Sequence, residues 1–203
     1  MSRRGARRQG GDMTAKRLYP LLACAAIAVA VAALVVGQLD AQDLLNTGVG
    51  DGVPMAVLGL GSVALLGGLR AAGAPVRGTP ERLMLVWAVT IGVSAFAPVP
   101  LEIVAFGSLA GAAALLVPRL RADEAWRGIA RAVEWLALAG GLGVLAFTYV
   151  ALPGQGVLIG LVERALLVSG VALLAVLAGW LTRVVWAKAV NFPTYHRFIA
   201  SGS

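Results

Sequence analysis

A chain of 203 residues that is 59% hydrophobic, only 13% charged and carries 26 glycines has the composition of a helical multi-pass membrane protein, not of a soluble domain. Its formal net charge of +7 raises nucleic acid as a partner, but there is no separate basic domain, so nucleic acid is set aside and the cations are assigned to membrane edges and anionic headgroups. A single cysteine, Cys24, and a single histidine, His196, exclude an intramolecular disulfide, a cysteine metal cluster and a haem held by paired histidines of this chain.

The first segment, residues 1–17, holds Arg3, Arg4, Arg7, Arg8, Lys16 and Arg17 among glycines, too little apolar surface to fold alone, and is expected to be a disordered cytoplasmic arm. Met13 offers an alternative start. Leu18 to Gly37 is a first span, long for a signal peptide and with no small-x-small cleavage site after it. Leu21-Leu22-Ala23-Cys24 has the look of a lipoprotein box but stands at the start of the apolar run, so Cys24 is expected to be a small buried apolar residue. Asp40, Asp43 and Asp51 follow in a loop without Lys or Arg, placed outside.

Val53 to Leu69 is a short, glycine-rich second span, and Arg70, Arg77 and Arg82 bracket an inside loop. Thr79-Pro80-Glu81 has the pattern of a helix start, with Thr as N-cap, Pro first in the helix and an acid in the first turn. The third span runs from Leu83 to about Pro98. Trp87, Thr90 and Ser94 share one of its faces, either as a polar wall turned to a cavity or bonded to their own helix or a neighbour. Ala97-Pro98-Val99-Pro100 is a stiff outer turn.

Leu101 to Val117 is the fourth span, where Gly107 and Gly111 form a G-x-x-x-G step that would let a neighbouring backbone approach. Pro118 to Arg131 is the second inside loop, with Asp123 as an N-cap and helix from Glu124. Arg127, Arg131 and Glu134 fall on one face and Trp126, Ile129 and Val133 elsewhere, an interfacial prelude in which Arg131 and Glu134 are spaced for a helical ion pair. The fifth span runs from about Val133 to Leu152, Pro153-Gly154-Gln155-Gly156 turns outside, and Gly160 to Arg183 is the sixth span. Residues 186–203 form a cytoplasmic tail with Phe192, Tyr195, His196, Arg197 and Phe198, suited to headgroups or to a soluble partner.

With nearly every Lys and Arg on one side, the positive-inside rule puts both termini in the cytoplasm and makes the span count even. Trp126, Trp135, Trp180, Trp186 and Tyr19 gather at the inner ends as an aromatic belt. Gly61-Ser62 and Gly107-Ser108 each precede a basic inside loop, which is compatible with two similar hairpins. The fold class expected is all-α, a compact bundle of six transmembrane helices over residues 18–185.

Chemistry concentrates in an outer polar cluster of Glu102, Glu163 and Arg164. If Pro100 opens the fourth helix and Leu161 the sixth, each glutamate meets free N–H groups in a first turn. Arg164 opposes the dipole there and breaks the positive-inside pattern. It is expected to turn into the bundle and bond Glu102 or the carbonyls of the Ala97–Pro100 turn, which prolines leave without N–H donors.

Phe96-Ala97-Pro98-Val99-Pro100, Trp126-Arg127 and Leu161-Val162-Glu163-Arg164, in a layout running from Val53 to Arg183, resemble the six-helix membrane family catalogued as domain of unknown function 998. This chain lacks the Asp usual after the first proline of that turn and a His in the fourth span. The resemblance implies a six-helix fold and brings no activity with it.

No G-x-S-x-G, Walker loop, H-E-x-x-H or Cys/His cluster occurs, so an enzyme, a metal site and a cofactor are not expected. Two functional classes remain. One is a non-catalytic accessory or scaffold protein of the cell (cytoplasmic) membrane, whose partners are membrane lipids or a membrane-protein complex. The other is a small transporter or sensor with a polar pocket between the third, fourth and sixth spans.

Overall fold

The computed structural model describes residues 52–94, 96, 101–150 and 159–190. The basic arm, the first span, the acidic outer loop, the two outer turns and residues 191–203 of the tail lie outside these described residues. The described part is all-α: α1 (Gly52–Ala72), α2 (Thr79–Ser94), α3 (Glu102–Ala122), α4 (Arg127–Val150) and α5 (Ile159–Val190). Four of them, α1, α3, α4 and α5, are long and apolar enough to cross a membrane. Each helix packs on the next in sequence, and α5 also packs on α1 and α3, which closes the layout into a bundle.

The connection from α1 to α2 shows how local chemistry stops one helix and starts another. Gly73 adopts φ +79, the left-handed conformation that costs glycine little. Its N–H donates to Arg70 O at 3.1 Å, and the N–H of Ala74 donates to Leu69 O at 2.9 Å. These two bonds are a Schellman cap, and the buried pair Leu69 and Ala74 supplies its usual apolar contact. Gly78, at φ +91, then offers its carbonyl to the N–H of Arg82, so α2 begins at Thr79 itself and not one residue after a Thr cap. Glu81 sits in the first turn as the motif requires.

Several boundaries shift outward from those set by hydropathy. Helix α3 continues past Val117 and carries Pro118 inside its last turns. Leu120, only 1% exposed, anchors the continuation in the core and holds the helix across Pro118, which has no N–H to give the carbonyl of Ala114. Asp123 ends α3 as its C-cap, and its side chain accepts the N–H of Ala125 at 3.0 Å within a turn over 124–126. Helix α4 starts at Arg127, so the helix expected from Glu124 with Asp123 as its N-cap is corrected. Helix α5 runs to Val190, beyond both Arg183 and the boundary at residue 185, because no breaker intervenes before Pro193.

The core is built of Leu, Ala, Val and Ile from all five helices, with Trp87 and Trp126 as its largest fully enclosed side chains. Trp126, Ile129 and Val133 face it while Arg127 and Arg131 face out, so the division of faces expected from the spacing holds at the head of α4. Trp126 is thereby a core residue and not part of an aromatic belt, whereas Trp135 and Trp186 are exposed. Helix α4 is the least enclosed span: 28% of it is buried, against 44–50% for the other three.

Candidate functional site

The face of α2 that carries Trp87, Thr90 and Ser94 turns into packed protein. Trp87 is fully buried and reaches three other helices. Its indole N–H donates to Ser62 Oγ on α1 at 3.3 Å, and the Ser62 hydroxyl donates in turn to Leu58 O at 2.8 Å. Its ring lies 5.5 Å from that of Phe106 on α3, tilted by 51°. Its far edge meets α5 where Gly170 leaves room: a Cβ at Gly170 would stand 3.5 Å from Trp87 Cη2 and 3.1 Å from Leu109 Cδ2. Thr90 is buried, and Ser94 Oγ donates back to Thr90 O at 2.8 Å. Trp87 thus joins four helices, and the hydroxyl of Ser94 is taken up by its own helix.

Ser62 is the partner that sequence spacing did not single out. It drew notice only through the Gly61-Ser62 dipeptide, and nothing local couples it to a tryptophan 25 residues away.

Close helix approach occurs, but not at the G-x-x-x-G step. A Cβ at Gly107 would meet nothing within 4 Å, and one at Gly111 would make an ordinary 3.6 Å contact with Leu83 Cδ1. The tight backbone crossing is between α1 and α2, where a Cβ at Gly59 would lie 2.8 Å from Ala88 O and 3.2 Å from Gly92 Cα. Among the described residues the close approach therefore rests on Gly59, which packs on the backbone of Ala88 and Gly92, and not on Gly107 and Gly111. The reason is that α3 turns Ala105, Leu109, Ala112, Ala113 and Leu116 into the core, and Gly107 lies off that face.

Of the outer polar cluster, Glu102 is the first residue of α3, as a first-turn carboxylate should be. Glu163 is half-buried, and α5 begins at Ile159, which places it just beyond the first turn. Arg164 is exposed and not turned into the bundle. Leu166, Gly170, Leu173, Leu174 and Leu177 take the inner face of α5, and Arg164 shares its outer face with Val168, one turn on and 69% exposed. The Glu102 side chain and the Ala97–Pro100 turn lie outside the described residues, and with them the proposed partners of Arg164.

The opposite end of the bundle carries Arg70, Arg77, Arg82, Arg119, Arg121, Arg127, Arg131 and Arg183 against Glu81, Asp123, Glu124 and Glu134. Much of this charge ties elements together. Arg70 pairs with Glu81 between α1 and α2, and Arg119 donates to the carbonyl of Arg77 in the connecting loop. Arg121 on α3 bonds Glu134 on α4 at 2.5 Å, and Arg127 Nε donates to Arg121 O at 3.1 Å. Glu134 is thus claimed across helices by Arg121 and not by Arg131 three residues before it. The antiparallel crossing brings the last turn of α3 beside α4, which local spacing cannot anticipate.

At the same end α5 is stitched to the α3–α4 connection. Trp180 Nε1 donates to Ala125 O at 2.9 Å, and its ring lies against Gly128, where a Cβ would come within 2.5 Å of it. The Arg183 guanidinium sits over the Trp180 ring, 5.4 Å from its centroid.

Between α3, α4 and α5 lies a pocket lined mainly by apolar groups, among them Phe106, Leu109, Leu136 and Leu166, with Ser169 as its hydroxyl. It holds about 10 Å³, room for roughly one water. The Ser169 hydroxyl is already bonded to Leu166 O at 2.8 Å. The chain matches no protein-family model, no curated protein and no solved structure.

Proposed function

We infer that this chain is a non-catalytic integral protein of the cell membrane, an accessory or scaffold that binds lipid or a larger membrane complex. The observation that carries this reading is where the apolar surface lies. On α4, Trp135, Leu138, Leu142, Leu145 and Tyr149 are exposed, while the pocket between α3, α4 and α5 has room for about one water. A continuous exposed apolar face of this kind is surface offered to a partner or to lipid. The same reading includes six spans, the first being Leu18 to Gly37, with both termini cytoplasmic. The likeness to the six-helix family with the Phe-Pro-rich turn belongs to it as well.

Purification of the full chain in mild detergent is expected to bring down a defined membrane protein or a defined lipid; a clean protein with neither overturns the reading. Reporter fusions near Gly50 and Gln155 are expected to lie outside, and a cytoplasmic reporter at either ends the topology. The transporter alternative has less support, because the pocket beside the fourth and sixth spans is lined by apolar groups.

A further inference from the structure

The redirected ion pair at the charged end leaves a cation in a particular setting. Arg121 occupies Glu134, the one carboxylate of α4, at 2.5 Å. Among the described residues Arg131 has no carboxylate partner, and it is exposed. Below it on α4, at steps of four, three, four and three residues, come Trp135, Leu138, Leu142 and Leu145, each at least half exposed. Those steps keep one stripe on one side of a helix. Arg131 heads that stripe.

The dimensions of the stripe fit one kind of occupant. At 1.5 Å per residue, Leu142 lies about 16 Å below Arg131, close to the ~15 Å of one hydrocarbon leaflet. Trp135, one turn below the guanidinium and 65% exposed, stands at the depth where an amphipathic indole meets headgroup and chain. The Trp180 ring lies against Gly128 and Arg183 stands over that ring, so α5 brings a second guanidinium to the charged end where α4 begins. Glu124, in the turn before α4, is the nearest uncommitted acid along the chain, about two turns further out. A zwitterionic headgroup would leave the excess of cations uncompensated, whereas a net anionic one compensates it.

We propose that Arg131, flanked by Arg183, binds the phosphate of an anionic phospholipid whose acyl chain lies along Trp135, Leu138 and Leu142. This names the lipid class within the lipid- or complex-binding role inferred above and rests on it. An uncommitted guanidinium bonds phosphate oxygens through two N–H groups, and the stripe below supplies apolar contact of matching length.

The test uses the full chain, with Trp186→Phe to remove another exposed indole, reconstituted in vesicles of phosphatidylcholine and phosphatidylglycerol. Bromine is placed on the chains of one lipid or the other at equal mole fraction, and tryptophan quenching is read. Brominated phosphatidylglycerol is expected to quench more strongly, with local enrichment of about fivefold. Arg131→Gln with Arg183→Gln should bring the two lipids level, Arg131→Lys should keep most of the preference, and Trp135→Phe should remove the selective part of the signal. Equal quenching by both lipids in the arginine-bearing protein, or a preference that survives the double Gln variant, overturns the proposal. So does a Trp135 shielded from both lipids by a cross-linkable second copy. If quenching is equal but a defined membrane protein still co-purifies, the lipid site falls while the accessory role stands.

Discussion

Helices α2 and α4 are both apolar, both begin at the charged end, and both carry a tryptophan as their ninth residue, yet they spend those residues in opposite ways. Trp87 of α2 is enclosed, bonded to Ser62 and packed on Phe106 and beside Gly170. Trp135 of α4 is 65% exposed above a stripe of exposed leucines. The difference is one of position in the bundle. Helix α2 sits between α1 and α3 and presents Trp87 toward α1, α3 and α5, while α4 sits against α3 and α5 and leaves one flank open. An apolar tryptophan in such a chain is thus either the pin of the core or part of the lipid-facing surface, and its neighbours on other helices decide which.

Replacing the two tryptophans is the most direct way to break this comparison. Trp87→Ala should cost about 3–5 kcal/mol, as expected for emptying a large core site. Trp135→Ala should stay within about 0.5 kcal/mol, as an exposed substitution does. Reversible unfolding in mixed micelles measures both, and comparable losses would erase the distinction. Trp87→Phe should fall between them, since it keeps most of the ring and loses the bond to Ser62.

Glycines extend the contrast at smaller cost. Gly59→Val should destabilise by about 1–3 kcal/mol, because the added carbons meet the backbone of Ala88 and Gly92, which cannot give way as a side-chain tip can. Gly107→Ala, with open space around its new methyl, should be neutral or stabilising by up to about 1 kcal/mol. An equal loss at both positions would restore the G-x-x-x-G step as a packing site.

The smallest expected effect concerns the charges that join α4 to α3. The Arg121–Glu134 pair is substantially exposed, with side chains 56% and 36% accessible, so solvent screening holds its coupling to about 0.2–1 kcal/mol. A double-mutant cycle of Arg121→Gln with Glu134→Gln should show that coupling, and the same cycle with Arg131→Gln in place of Arg121→Gln should show none. Coupling confined to Arg131 would return the pair to the local spacing.

What the chain determined by itself is local. Runs of apolar residues announced the helices and Thr79-Pro80-Glu81 announced the start of α2, because hydropathy and helix-start chemistry act over one or two turns. The burial of Trp126, Ile129 and Val133 opposite Arg127 and Arg131 was legible for the same reason. The tertiary structure alone decided who meets whom across helices: Trp87 with Ser62, Gly59 with Gly92, Arg121 with Glu134, and Arg164 facing outward. These contacts depend on how each helix is rotated and how deeply it sits beside its neighbours. In a chain where glycine, alanine and leucine occupy nearly every face, periodicity leaves that rotation open, and packing sets it.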